Sequence, residues 1–125
     1  MQDESVRGFV ERRAEGQERL LKAANLPMRR FFALDSDAYA EGALSRKEKE
    51  LLGLVASIVL RCDDCIRYHL HQAHGVGVSR EEIVEALTVA LVAGGSVVIP
   101  NLRRAFTFLD DLEIAGKGER LDLGV

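Results

Sequence analysis

A chain of 125 residues, 47% hydrophobic and 30% charged, is long enough to bury one core and too evenly mixed to be disordered or fibrous. Seventeen Lys and Arg against twenty Asp and Glu leave a formal charge of −3, and the basic doublets Arg12-Arg13, Arg29-Arg30 and Arg103-Arg104 are scattered, so no pooled cationic face offers itself to nucleic acid. The longest uncharged run, Ala86 to Leu102, holds two Gly, a Pro and an Asn and falls short of the roughly 20 apolar residues a membrane span needs, while the charged start has no signal-peptide core; no membrane partner and a cytosolic location are the expectation.

Along the chain almost everything reads as helix, and no strand alternation or internal repeat interrupts it, so an all-α single domain over residues 1–125 is expected. Asp3 to about Ala24, rich in Glu, Arg, Leu and Ala, should form the first helix and stop at Asn25-Leu26-Pro27. Pro27 suits the first position of a short second helix, Met28 to about Leu34. Asp35, Ser36 and Asp37 offer caps for a further short turn ending near Gly42. Ser45-Arg46-Lys47-Glu48 has the form of a capping box, opening a helix that runs on through Lys49 to Leu60. The next helix should begin around Cys62 and end at His74-Gly75. A second capping box, Ser79 to Glu82, opens the helix from Arg80 to Ala93, Gly94-Gly95 breaks or bends the chain, and a last helix reaches about Ile114, with a kink expected at Pro100. Residues 116–125 read as a frayed tail.

The chemistry gathers in Arg61-Cys62-Asp63-Asp64-Cys65-Ile66-Arg67-Tyr68-His69, which contains both cysteines of the chain. Residues three apart on a helix have Cα atoms about 5 Å apart, close enough for a disulfide. His69 lies four residues past Cys65 and seven past Cys62, which puts the three side chains on one helical stripe. A thiolate needs a group to take its proton, and imidazole suits that task near neutrality. Dithiol redox chemistry is therefore the leading reading. Two others compete with it: buried cysteines that merely pack, and a zinc site in which His71, His74 or Asp64 completes the set. Structural zinc usually draws ligands from two separate segments, so no metal and no cofactor are assigned.

Two helices carry apolar residues on every side: Leu51, Leu52, Leu54, Val55, Ile58, Val59 and Leu60 in one, Ile83, Val84, Leu87, Val89, Leu91 and Val92 in the other. A helix apolar all round must be covered all round, and so short a chain has little to cover two of them. A homo-oligomer is expected, against the simpler alternative of a central pair wrapped by the other helices.

The stretch Leu44 to Leu52, the Cys62-x-x-Cys65-x-x-x-His69 run, and Gly75 to Ile83 together resemble the carboxymuconolactone decarboxylase family, in its alkylhydroperoxidase D-like branch. That branch is marked by a Glu, eleven residues, Cys-x-x-Cys, three residues and His, and this chain has Glu50, Cys62, Cys65 and His69 in that register. The likeness covers about residues 27 to 112. It implies an alkylhydroperoxidase D-like helical bundle assembled as trimers or hexamers, and a thiol-dependent antioxidant role in which a hydroperoxide is reduced and an unidentified thiol donor restores the dithiol. It implies further that Cys65 attacks, Cys62 resolves to the disulfide, and His69 and Glu50 relay the proton, Glu50 acting through water. The family's true decarboxylases lack this dithiol, so a lyase acting on a lactone is the lesser alternative; a metal-binding or structural oligomer without redox turnover is another.

Two features bear on that chemistry. Asp64 stands where relatives often carry an aromatic residue or histidine, and Asp63 and Asp64 together would raise a neighbouring thiol's pKa unless they serve only as caps. Glu50 is twelve residues before Cys62, which on one straight helix is about 18 Å, so a relay needs a hairpin near Leu60 to Asp63 or a Glu50 lent by a neighbouring subunit.

Overall fold

The computed structural model of the protein describes residues 4–115. Asp3, at which the first helix is expected to begin, and the tail from Gly116 to Val125 lie outside the described residues. Within them the chain is wholly helical: α1 Val6–Ala23, α2 Leu26–Tyr39, α3 Arg46–Val59, α4 Asp63–Gly75, α5 Arg80–Gly94 and α6 Ile99–Ala115, with a 3-10 turn at Ser96–Val98. None of the described helices is long and apolar enough to cross a membrane.

The helix starts follow local chemistry. Ser5 and Asn25 accept hydrogen bonds from the backbone N–H groups of Gly8 and Met28, and both capping boxes, Ser45 with Glu48 and Ser79 with Glu82, are formed. The region after Pro27 departs from expectation. Asn25 caps, so Leu26 takes the first helical position and Pro27 the second, and α2 continues without a break through Asp35-Ser36-Asp37 to Tyr39. A capping residue acts only where the chain ahead of it is extended, and Ala33-Leu34 contain no Gly or Pro to stop a helix; the three polar side chains stay exposed on α2. At the other end, α5 runs through Gly94 and stops at Gly95, whose φ of +78° suits glycine. Pro100 is the second residue of α6, where its missing N–H has no helical partner to lose, so it introduces no kink.

The core lies between α3, α4, α5 and α6, with Leu54, Ile58, Ile66, Leu70, Ile83, Leu87 and Phe108 almost wholly buried. The first half of α1 closes one side: Phe9 packs edge-on against Phe108 at 5.5 Å, and the backbone N–H of Val6 donates to Asp111 Oδ2 at 2.7 Å. Helix α2 is different, since it buries no residue at all. The two helices read as apolar all round divide their faces. Leu54, Ile58, Ile83 and Leu87 turn inward, whereas Leu52 and Leu60 on or beside α3, and Val89 and Val92 on α5, remain exposed.

The turn between α3 and α4 positions everything that follows. Leu60 ends α3, Arg61 takes the left-handed conformation at φ 56°, its N–H donates to the Ile58 carbonyl, and the N–H of Cys62 reaches back to the Ser57 carbonyl at 3.1 Å. This is a Schellman ending with an arginine where glycine is usual, a substitution that costs about 1 kcal/mol of backbone strain. It reverses the chain in three residues and lets α4 pack back along α3.

Candidate active site

The reversal leaves Cys62 outside α4 as its N-cap, with its sulfur accepting from the backbone N–H of Cys65 at 3.3 Å. The two cysteines therefore do not share a helical stripe as the spacing suggests: Cys65 is in the first turn of α4 and Cys62 precedes it. Their Cα atoms are 5.3 Å apart and their sulfurs are joined in a disulfide. Cys65 is exposed and Cys62 half-buried. A helix N-terminus favours negative charge, so a thiolate on Cys65 would lie at the positive end of α4.

Antiparallel packing of α3 on α4 brings Glu50 to His69. Glu50 Oε1 lies 2.8 Å from Nδ1 of His69, and the glutamate side chain is only 1% exposed. The contact is direct and lies within one chain. A carboxylate is an acceptor, so Nδ1 carries the proton that faces it, which leaves Nε2 of a neutral ring as an acceptor. The other Glu50 oxygen takes a longer bond from Arg46 Nε at 3.3 Å. A buried carboxylate without such partners would be costly, and this one has both a ring N–H and a guanidinium.

Three residues to which the sequence reading gave no role complete the arrangement. Tyr39 stacks on His69 with ring centroids 5.3 Å apart and its hydroxyl 3.4 Å from Nε2. Tyr68 meets the same imidazole edge-on at 5.1 Å. Gly53, on the inner face of α3, makes room for the pair: a Cβ there would stand 2.5 Å from both His69 Cε1 and the Tyr39 hydroxyl. Glycine inside a leucine-rich helix is unfavourable by about 0.5–1 kcal/mol relative to alanine, and that is the one sequence signal that could have pointed to a tight approach. Tyr39 gives no such signal, because nothing local says where the loosely packed α2 ends.

Asp63 and Asp64 are both occupied. Asp63, buried, accepts from Asn101 Nδ2 and Arg104 Nε, each at 2.9 Å, and ties the start of α4 to α6. Asp64 accepts from Arg12 of α1 at 2.7 and 3.2 Å, and Arg67 Nη1 is 3.5 Å away. Glu4 and Asp64, which accept hydrogen bonds from the Arg12 guanidinium, raise its pKa. The expectation that the aspartates raise the thiol's pKa thus loses much of its basis, since each negative charge faces an arginine.

These residues border a cleft of about 500 Å³ between α1, α2, α3 and α4. Cys65 and His69 line it, with Tyr39, Tyr68, Phe31 and Phe32 as aromatic walls and Arg13 and Arg46 as cations. Arg13 lies over the Tyr68 ring at 4.4 Å, and burial draws its pKa down. Cys62 is not part of the lining. Among the described residues no group of three or more His, Cys, Asp or Glu side chains is placed to hold a metal ion.

His71, on the flank of α4, carries a titration consequence. Its Nδ1 is buried without a hydrogen-bond partner among the described residues, and its pKa is lowered from 6.5 by burial and by the neighbouring charges of His74 and Arg13. The unfolded chain takes up this proton first as pH falls. Stability is therefore full above about pH 6.5 and declines as pH drops toward the lowered folded value. Thermal midpoints measured from pH 7.5 to 5 should fall in this window, and His71→Gln should flatten the fall.

Comparison with known proteins agrees with the all-helical fold. Two crystal structures from Thermotoga maritima superpose with TM-scores of 0.85 and 0.84, at 57% and 56% identity, covering 89% and 91% of this chain and 97% of each of theirs. The second is described as a carboxymuconolactone decarboxylase family protein for which involvement in an antioxidative response is suggested. A Legionella pneumophila protein of that family shares the fold at TM-score 0.78 and 24% identity, over 85% of this chain and 95% of its own. An uncharacterized protein encoded in the cox locus of Paracoccus denitrificans is 30% identical over 83 residues, 66% of this chain and 75% of that protein. Residues 27–111 match the model of the carboxymuconolactone decarboxylase family, and with that match over more than half its length the chain belongs to this family.

Proposed function

We propose that the protein is a thiol-dependent antioxidant enzyme of the alkylhydroperoxidase D-like kind, reducing hydroperoxides through the Cys62–Cys65 pair. The observation that carries this reading is the exposed Cys65 lining one cleft with His69, whose far nitrogen is hydrogen-bonded to the buried Glu50. In the reduced protein His69 takes the Cys65 proton, and Glu50 steadies the imidazolium so formed. The Cys65 thiolate attacks the terminal peroxide oxygen; the O–O bond breaks, the alkoxide leaves with a proton as alcohol, and Cys65 becomes a sulfenic acid. The Cys62 thiol then attacks that sulfur, water leaves, and the disulfide closes. A dithiol donor returns two electrons and two protons to reopen it.

A reduced sample mixed with cumene hydroperoxide should consume about one equivalent and lose 2 Da, with both cysteines then blocked to alkylation. Hydroperoxide left intact, or Cys65 driven to stable over-oxidation while Cys62 stays alkylatable, would overturn the reading.

The enzyme acts as a homo-oligomer, a trimer or a hexamer. Exposed Leu52, Leu60, Val89 and Val92 on α3 and α5, and Leu26, Met28, Phe31 and Leu34 on α2, support burial between subunits. Sedimentation at micromolar concentration should give a trimer or a multiple of it, and Val92→Asp should shift it toward monomer. A well-folded wild-type monomer would refute this.

A further inference from the structure

Tyr39 has no part in the scheme above, yet its hydroxyl is the contact recorded for Nε2 of His69. It closes α2, a helix that buries nothing, and only Tyr39 and Phe32 of that helix are partly withdrawn from solvent. Its ring is stacked on His69, and its hydroxyl faces Nε2 at 3.4 Å, long enough for a weak hydrogen bond that can tighten. Gly53 is the independent sign that the pairing is built in: any larger residue there would collide with Tyr39 and His69 together. Tyr39, His69 and Cys65 line the same cleft. With Nδ1 engaged by Glu50, Nε2 is the nitrogen left to serve Cys65, and the Tyr39 hydroxyl stands in front of it.

We propose that Tyr39 is the third member of the proton chain, passing the Cys65 proton to Nε2 of His69. The proposal rests on the reading of Cys65 as the attacking thiol. The Cys65 S–H bond breaks and its proton goes to the Tyr39 oxygen, while the Tyr39 O–H proton goes to Nε2; tyrosine ends neutral, Cys65 a thiolate and His69 an imidazolium braced by Glu50. No electrons move. In that charge-separated state Nε2–H donates to the Tyr39 oxygen and the Tyr39 hydroxyl donates to the thiolate, two charge-assisted bonds absent from the neutral state. Burial, and secondarily the charge of Glu50, raise the phenol's pKa, so the hydroxyl keeps the proton it must lend. The charged groups facing the pair are Glu50 and Arg46 on α3, Arg13 on α1, Asp35 on α2 and Asp64 on α4.

Tyr39→Phe keeps the stacked ring and removes only the hydroxyl. In the reduced full-length protein, the rate of Cys65 alkylation by iodoacetamide is followed from pH 5 to 9 by peptide mass spectrometry, and single-turnover consumption of cumene hydroperoxide is measured beside it. The alkylation midpoint should move up by about one pH unit in Tyr39→Phe, a roughly tenfold loss at neutral pH, with an unchanged thermal midpoint. Hydroperoxide consumption should slow by a similar factor. A tyrosine that merely packs on His69 would leave the midpoint of Tyr39→Phe where it is in wild type, and that result overturns the proposal whatever the turnover. A shifted midpoint in a protein whose wild type consumes no hydroperoxide would instead uphold Tyr39 and remove the peroxidase reading.

Discussion

Cys65→Ser should abolish hydroperoxide consumption outright, because among the described residues it removes the one sulfur that lines the cleft beside His69. Cys62→Ser should still deliver one turnover and stop at a sulfenic acid on Cys65, trapped by dimedone and seen as a single adduct, since Cys62 enters only when the disulfide closes. His69→Ala and Glu50→Ala should each slow the first step by about 10²- to 10⁴-fold if proton transfer limits it. The double variant should be little slower than the worse single one, because Glu50 acts on the transfer only through His69, across a 2.8 Å contact. Glu50→Ala should also lower stability, as it leaves the buried ring N–H of His69 without its acceptor and removes the partner of a half-exposed Arg46. Glu50→Gln keeps the shape and can still accept from Nδ1, so it separates the lost charge from the lost packing. Equal rates in wild type and His69→Ala would remove the relay.

Gly53→Ala should be nearly as damaging to activity while costing much less in stability. Alanine improves helix propensity by about 0.5–1 kcal/mol. Against this stands a methyl group 2.5 Å from His69 Cε1 and from the Tyr39 hydroxyl, inside the distance any carbon tolerates. The histidine cannot easily yield, because Glu50 holds it at Nδ1 and Tyr68 abuts it edge-on. Tyr39 can, since α2 is held by little else. The net stability change should therefore stay within about 2 kcal/mol, whereas the clash with His69 Cε1, which a shift of Tyr39 does not relieve, strains the imidazole out of place and should cost about 10²-fold in rate. Thermal unfolding and single-turnover kinetics on the same sample check both parts. A Gly53→Ala variant as active as wild type would mean that the tight approach of α3 to His69 is not needed for turnover.

Much of this was legible in the linear chain. Each capping box acts over three residues, the apolar spacing of the helices over three or four, and those are distances at which sequence neighbours are also neighbours in space. The all-helical class, the starts of α3 and α5, and the grouping of Glu50, Cys62, Cys65 and His69 as one register follow from such patterns and from the family likeness. The sequence also put two cysteines at a spacing a disulfide can bridge, whichever of them a helix contained.

What only the tertiary structure decided are the contacts made across the chain. Arg61 adopts a positive φ that a glycine would have announced, so the sharp reversal that brings α4 back along α3 carries no residue signal of its own. That reversal makes Glu50 and His69 direct partners, 19 positions apart, in place of two groups at opposite ends of a long helix. Arg12 reaches Asp64 across 52 positions and Arg104 reaches Asp63 across 41, so both carboxylates beside the cysteines are anchored in ion pairs. Tyr39 reaches His69 across 30 because α2 runs on past the polar residues that looked like a stop. Local propensity sets where a helix begins, but the direction in which it leaves its turn and the face it offers its neighbour are set by packing, and the contacts of Glu50, His69 and Tyr39 depend on those.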